Sequence, residues 1–250
     1  MASTFAIGDV MLVQRVLNDY NTTDIIYFRY PLRDSTKGST FTFQRLIGLP
    51  GDTIQIINKN IYLNNFNISD TSTLKHNYYI KTNVKLDTNF RMSYGLNEGG
   101  EISNDLDYSF SLTQNQLEKL KPLEIIQNIT PKVEQKGSFD QTVFPYSIKY
   151  NWNMDNFGKL YLPKKNDVLL LDSVNMDVYS VIIRDHEKNK LQIKKDSIFI
   201  NGILCNSYTV RQNYYFVMGD NRDNVNDSRV FGFLPERYIR GKVIRVLKRN

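Results

Sequence analysis

Between Gly219 and Arg229 the chain carries three aspartates and two arginines within eleven positions. The residues before this stretch, Tyr-Tyr-Phe-Val-Met at 214–218, are largely apolar, and so are the residues after it, Val-Phe-Gly-Phe-Leu at 230–234. Charged side chains this close to a hydrophobic core are stable only if they pair and their remaining polar atoms find hydrogen bonds. Any fold of this chain must therefore join these charges in one network.

The polar residues of this stretch have a structural interpretation. We expect Asp227, Arg229 and Arg222 to form a charge-assisted cluster that ties the loop to the core. Gly219 and Asp220 are typical of a turn at the end of a strand. We call residues 218–235 the acidic–arginine box and expect it to act as a structural clamp.

Four segments of the chain, in this order and spacing, resemble the signature boxes of type I signal peptidases. They are Phe-Ala-Ile-Gly-Asp-Val-Met-Leu-Val at 5–13, Asp-Ile-Ile-Tyr-Phe-Arg-Tyr-Pro at 24–31, Arg-Leu-Ile-Gly-Leu-Pro-Gly-Asp-Thr-Ile at 45–54, and the acidic–arginine box. Members of that family are serine endopeptidases that remove secretory leader peptides with a serine nucleophile and a lysine general base. The resemblance implies that both ends of the chain build one core sheet.

The resemblance also exposes departures at the catalytic positions. The residue that matches the family's lysine base is Gln44, and the residue that matches the serine that orients this lysine is Val225. The nucleophilic serine would fall just before Met1, which leaves Ser3 and Thr4 as the hydroxyls nearest to its place. An amide nitrogen has no basic lone pair, so Gln44 cannot act as a general base. We therefore expect no catalytic residue among the matched positions.

The matched positions that remain carry the structural box. They are Arg45, Gly219, Asp220, Asn221, Arg222, Asp227, Ser228 and Arg229. Ser228 is the hydroxyl left in the box, and a turn or cap role is expected for it, because the motif offers no neighbouring His or Lys to activate it.

Three functions stay open at this point. The favoured one is a catalytically inactive signal-peptidase-like protein that retains a groove for an extended peptide or protein segment. The second is an active type I signal peptidase whose site is displaced or completed by residues that precede Met1. The third is a structural or assembly module without a peptide groove.

The resemblance implies a mainly β fold, with a core shared with the self-cleaving SOS-repressor proteases. Residues 1–55 and 208–250 would form this core, and residues 56–207 an inserted β-rich subdomain. The residue pattern adds hairpins at 54–63 and at 198–204, the latter with an Asn-Gly turn. It also predicts an extended segment at Val178–Ile183 and a helix at Thr113–Leu120, which Pro122 would end.

Composition limits cofactors and partners. The net charge is +6, but the basic residues are scattered and no nucleic-acid-binding motif accompanies them, so we expect no nucleic acid partner. Weak attraction to an anionic membrane surface is compatible with this charge. The two histidines lack ligand spacing, so neither a metal nor another cofactor is expected. The sequence has no apolar run of eighteen residues and no leader, which leaves the compartment unknown, or cytoplasmic if the chain is complete.

Overall fold

The structure is a computed structural model that describes residues 8–15, 19–31, 40–68, 73–195 and 197–247. Its strands are β1 (Val10–Gln14), β2 (Ile25–Arg29), β3 (Phe41–Gly48), β4 (Thr53–Ile57), β5 (Asn60–Leu63), β6 (Phe66–Asn67), β7 (Lys75–Thr82), β8 (Gly99–Ser103), β9 (Asp107–Thr113), β10 (Ile126–Pro131), β11 (Phe157–Tyr161), β12 (Val168–Leu170), β13 (Leu191–Lys194), β14 (Ser197–Ile200), β15 (Ile203–Leu204), β16 (Ser207–Thr209), β17 (Tyr214–Met218), β18 (Leu234–Pro235) and β19 (Ile239–Leu247). The helices are α1 (Thr88–Ser93), α2 (Gln114–Leu120), α3 (Met176–Ser180) with a π-helical turn at Val181–His186, α4 (Ser228–Phe231) and a 3₁₀ turn at Glu236–Tyr238.

The strands form antiparallel sheets. The largest has six strands in the order β1-β19-β2-β3-β17-β18 and draws them from both ends of the chain. Two four-stranded sheets follow, with the orders β10-β7-β9-β8 and β11-β4-β5-β6, and smaller sheets join β12 with β16 and β13 with β14 and β15. The predicted mainly β fold is confirmed.

Both predicted hairpins are present. The β4–β5 turn places Asn58 and Lys59 at φ angles of 47° and 69°, and the β14–β15 turn places Asn201 and Gly202 at 54° and 85°. Two successive residues with positive φ match the twist of the flanking strands, and Asn and Gly tolerate this conformation best.

The predicted helix at Thr113–Leu120 is also confirmed, as α2 with Thr113 as its N-cap. The Thr113 hydroxyl accepts a hydrogen bond from the Gln116 N–H, and the Gln116 side chain accepts one from the Thr113 N–H. This reciprocal capping box satisfies two N–H groups that the first turn of a helix leaves without partners.

The predicted extended segment at Val178–Ile183 is wrong, because these residues lie in α3 and in the π-helical turn. Asp172 starts this helical segment by accepting hydrogen bonds from the N–H groups of Val174 and Asn175 at 2.8 and 2.7 Å. Val178 and Ile182, four positions apart, are both buried. Burial of one helical face outweighs the preference of β-branched residues for strands.

The largest buried cluster joins strands from distant parts of the chain. It includes Ile54 of β4, Leu160 of β11, Ile182 of the π-helical turn and Phe216 of β17. A second cluster lies on the other side of the six-stranded sheet, around Phe28 and Val217. A third cluster packs on the sheet formed by β7 to β10. The division into residues 1–55 with 208–250 and residues 56–207 stays a prediction.

Within the described ranges, none of the helices is long and apolar enough to cross a membrane.

Gly158 offers a test of the packing around Trp152, the single tryptophan of the sequence. A Cβ atom at position 158 would lie 2.2 Å from Trp152 Nε1. The Phe157 and Tyr150 rings hold the indole, with centroids 4.5 and 4.9 Å away. We expect Gly158→Ala to lower the free energy of unfolding by about 1–3 kcal/mol, the usual cost of overpacking. Urea unfolding monitored by tryptophan fluorescence measures it.

Gly100→Ala is the matched control, because a Cβ atom there meets nothing within 4 Å. It should leave both the unfolding midpoint and the emission maximum near the parent values. A Gly158→Ala protein with the parent's midpoint and emission would show that the indole does not pack against this backbone.

Candidate functional site

A buried ion pair between Asp227 and Arg229 anchors the acidic–arginine box. Arg229 Nε and Nη2 donate to the two Asp227 carboxylate oxygens at 2.9 and 2.7 Å, and the two side chains are 0% and 2% exposed. Burial alone would lower the pKa of Arg229, but the charge of Asp227 raises it. Asp227 also caps α4 and accepts a hydrogen bond from the Gly219 N–H at 3.3 Å. Arg229 is thus the arginine that pairs with Asp227.

Both arginines of the box make further contacts in the interior. Arg229 donates to the carbonyl oxygens of Arg222 and of Met154. The Arg222 side chain is 3% exposed, and its Nη1 lies 2.9 Å from the sulfur of Met218. The two guanidinium groups therefore link Met218 at the start of the box, through Arg222, to α4.

A second charge pair connects the box to β3. Arg45 donates through Nε and Nη2 to the two oxygens of Asp220, at 2.8 and 2.7 Å. The Asp220 side chain is fully buried, and Arg45 also donates to the carbonyl oxygen of Thr23 at 2.9 Å. This two-pronged geometry fixes the turn after β17 against the middle of the six-stranded sheet.

Asn221 connects the box to the β7–β10 sheet. Its side chain accepts a hydrogen bond from Ser111 Oγ at 3.0 Å and donates to Glu98. Glu98 in turn accepts from Lys75 Nζ at 2.6 Å. The Lys75 N–H donates to the Asp220 carbonyl, and the Arg222 N–H to the Lys75 carbonyl, at 2.9 Å each. Sequence reasoning missed these partners, because they are more than 100 residues from the box and carry no local motif.

Asp223 connects the box to the β4–β5 hairpin. Lys59 Nζ lies 2.6 Å from Asp223 Oδ2 and 3.0 Å from Asp155 Oδ1, so one ammonium group bridges two carboxylates. His76 Nδ1 lies 3.6 Å from the other Asp223 oxygen. Burial alone would raise the pKa of Asp223, but His76 and Lys59 together hold it well below its usual range. Asp223 is therefore a carboxylate at neutral pH.

Gln44 lies at the centre of this arrangement and is 2% exposed. Its Nε2 donates to the carbonyl oxygen of Asn226 at 2.9 Å, which places Gln44 beside the peptide unit that joins Asn226 to Asp227. Its Oε1 is buried and has no hydrogen-bond partner among the described residues. Val225 packs on Gly219, where a Cβ atom would lie 2.6 Å from a Val225 methyl group. β3 and the acidic–arginine box therefore meet at Gln44.

Three hydroxyl groups were named for this site: those of Ser228, Ser3 and Thr4. Ser228 is buried and its Oγ accepts a hydrogen bond from the Val217 N–H at 3.0 Å. That contact holds α4 against β17. Ser3 and Thr4 lie outside the described residues.

The two histidines have different neighbours. His76 lies beside Asp223, whereas the His186 ring lies near Tyr214 and Tyr238, with centroid distances of 5.8 and 6.2 Å. In the part of the chain that the structure describes, no group of three or more His, Cys, Asp and Glu side chains is placed to hold a metal ion.

Comparison with known sequences finds one family over most of the chain. The profile of the family described as "Signal peptidase, peptidase S26" matches residues 1–119 and 163–247. Signal peptidase I of Buchnera aphidicola subsp. Acyrthosiphon pisum (strain APS) is 26% identical over 261 aligned positions, and that of subsp. Baizongia pistaciae (strain Bp) is 28% identical over 260. Each alignment covers 98% of this chain, which spans 64% and 65% of the length of these two relatives.

Two further matches are more limited. Signal peptidase I of Aquifex aeolicus (strain VF5) is 56% identical over 39 residues, which cover 16% of this chain and 15% of that protein. A crystal structure of a signal peptidase I from Enterococcus faecalis V583 aligns with 91% of this chain and 99% of its own, at 17% identity and a TM-score of 0.33. The fold assignment rests on the strands described above and not on this superposition.

The buried pair predicts a strong effect of Asp227→Ala on stability. The substitution leaves the Arg229 guanidinium buried without its carboxylate, which typically costs about 3–5 kcal/mol. It also removes the cap of α4. Lys85→Ala is the control, because it breaks an ion pair with Asp105 at 2.7 Å in which both side chains are more than 60% exposed. Thermal and urea unfolding should show a large loss for the first variant and little change for the second; equal stabilities would contradict the clamp.

Proposed function

The chain belongs to the type I signal peptidase family, peptidase S26, and from this membership we propose that it is a non-catalytic member that retains a site for an extended peptide. The family uses a serine nucleophile that a lysine general base activates. Peptide cleavage and peptide binding can be separated in this chain. The residues at the family's catalytic positions differ here, whereas the residues of the structural box are kept.

The observation that carries the proposal is the burial and hydrogen bonding of the Gln44 side chain. Its side chain is buried, and its nitrogen donates to the Asn226 carbonyl. An amide nitrogen shares its lone pair with the carbonyl and cannot take a proton from a serine hydroxyl. Val225 offers only methyl groups where the family has a hydroxyl. The position of the base therefore lacks both the base and the group that would orient it.

The described lysines close to the box offer no substitute base. Lys59 is shared between Asp155 and Asp223, and Lys75 pairs with Glu98 at 2.6 Å. Both side chains are held in ion pairs by carboxylates, at hydrogen-bond distance. These lysines support the structural network of the box.

The peptide site is proposed along β1. In the described part of the chain, β1 forms one edge of the six-stranded sheet, with β19 as its neighbour. An edge strand can add an extended peptide through main-chain hydrogen bonds, and its side chains then select the sequence. Val10 and Leu12 of β1 are 61% and 53% exposed, so they can contact such a peptide.

The proposal predicts that the chain does not cleave a leader peptide above background, because a serine hydroxyl is a poor nucleophile without a base. Detergent-solubilised leader substrate and mass spectrometry of the products measure this. Cleavage should require Gln44→Lys, Val225→Ser and a Ser-Met-x-Pro-Thr start in place of residues 1–4. Gln44→Lys alone should lower stability without activity, since the new ammonium would be buried without a counter-charge.

Site-specific cleavage after a small-x-small motif by the unmodified chain, abolished by Ser3→Ala, would overturn the proposal and identify Ser3 as the nucleophile. The combined Gln44→Lys and Val225→Ser variant is the matched control for the stability of the single lysine variant. It should recover part of the lost stability, because the serine hydroxyl gives the amine a hydrogen-bond partner.

Peptide binding makes a separate prediction. A fluorescent leader peptide should bind the unmodified chain, as measured by anisotropy, and Leu12→Lys should weaken binding because it removes an apolar contact on the β1 edge. Leu170→Lys is the control, since Leu170 is 75% exposed on β12, which belongs to another sheet. Equal binding by the two variants would place the peptide elsewhere. No binding by the unmodified chain would favour a structural or assembly module.

A further inference from the structure

A groove of about 1250 Å³ opens at the end of α4 that is remote from Gln44. Asn226, just before α4, contacts Gln44, whereas Phe231, at the end of α4, lines the groove. The other aromatic residues of its wall are Tyr30, Phe144, Tyr146 and Tyr238. The groove thus combines the volume for a small organic ligand with an aromatic wall.

The charges around the groove leave a positive excess. Its acidic residues are already paired, since Asp185 accepts from Arg184 at 2.8 Å and Asp177 lies 3.2 Å from Lys149. The remaining cations of its lining are Arg29, Lys188 and Arg237. None of these three forms an ion pair with another described residue. A cluster of like charges without counter-charges raises the affinity for an anion.

One ring positions both arginines. The guanidinium carbon of Arg29 lies 4.1 Å from the centroid of Tyr238, and that of Arg237 lies 5.4 Å from it. Stacking on an aromatic ring holds a guanidinium group while leaving its N–H groups at the edge free to bind oxygen atoms. Arg237 uses one of them to donate to the His186 carbonyl. The arginines are therefore held in place before a ligand arrives.

His186 adds an unused polar atom to the same lining. Its side chain is 5% exposed, and its Nε2 is buried without a hydrogen-bond partner in the described ranges. Burial, reinforced by the positive charge of Arg237, lowers the pKa of His186 to about 4, so the ring is neutral at pH 7. The ring also makes a hydrogen bond to the Phe233 backbone. The ring therefore adds no positive charge to the groove at pH 7, and the positive excess comes from the arginines and Lys188.

We propose that this groove binds a ligand that carries a phosphate monoester on an aromatic or apolar body. Three cations that form no ion pair match a dianionic phosphate better than a singly charged carboxylate. The aromatic wall would cover the body of the ligand. The phosphate can belong to a small soluble ester or to a lipid headgroup such as phosphatidic acid. The proposal is independent of the peptide site.

Isothermal titration calorimetry with phenyl phosphate tests the soluble source, with benzoate as the carboxylate analogue. Phenyl phosphate should bind more tightly than benzoate. Arg29→Gln and Lys188→Gln should each weaken phenyl phosphate by about tenfold, the loss expected for one charge-assisted hydrogen bond. Arg245→Gln is the control, because Arg245 is exposed on β19 and lies outside the groove lining.

Flotation with phosphatidylcholine vesicles, with and without phosphatidic acid, tests the lipid source. Binding that requires phosphatidic acid and is lost in Arg29→Gln and Lys188→Gln would support a lipid headgroup. Thermal unfolding without ligand establishes that each variant is folded. Failure of both phenyl phosphate and phosphatidic acid to bind, or binding that both variants retain unchanged, would overturn the proposal.

Discussion

The structure depends on a carboxylate and a guanidinium group that are both withdrawn from water. Arg229 binds both carboxylate oxygens of Asp227, and Asp227 also caps α4 and accepts from the turn after β17. A buried pair of this kind contributes little net stability relative to apolar side chains of similar size, but the loss of one partner is costly. Its main effect is geometric, because it fixes the loop between β17 and α4 in one conformation.

From that fixed loop, three neighbouring side chains reach three different parts of the fold. Asp220 binds Arg45 in the six-stranded sheet, Asn221 binds residues of the β7–β10 sheet, and Asp223 binds Lys59 in the β4–β5 hairpin. Contacts with such different partners explain why the loop is so dense in charge. Each of these three residues contacts a different part of the fold. The loop therefore connects sheets whose strands are far apart in the sequence.

The sequence predicted the parts of the fold that follow from local chemistry. The hairpin turn at Asn201 and Gly202 and the helix at Thr113–Leu120 depend on a few adjacent residues, and both appear as expected. Val178–Ile183 was predicted wrongly because its β-branched residues indicate a strand, whereas burial against the core selects a helix.

The candidate site shows the same division. The resemblance to the family located Gln44 and the acidic–arginine box, since both lie in recognisable motifs. It did not locate Glu98, Ser111 or Lys59, which contact the box only because the chain folds back over long distances. No property of these three residues in isolation distinguishes them from other polar residues of the chain.

The contact between Gln44 and the Asn226 carbonyl has a consequence for how mutations in this protein combine. Gln44 is buried in β3, and the carbonyl that it binds belongs to the loop before α4, 182 positions further along the chain. A substitution that removes the Gln44 amide leaves this carbonyl without that partner, and a substitution that moves the loop leaves the amide without its acceptor. Substitutions in β3 and in this loop are therefore coupled through one hydrogen bond, so their effects on stability should not add.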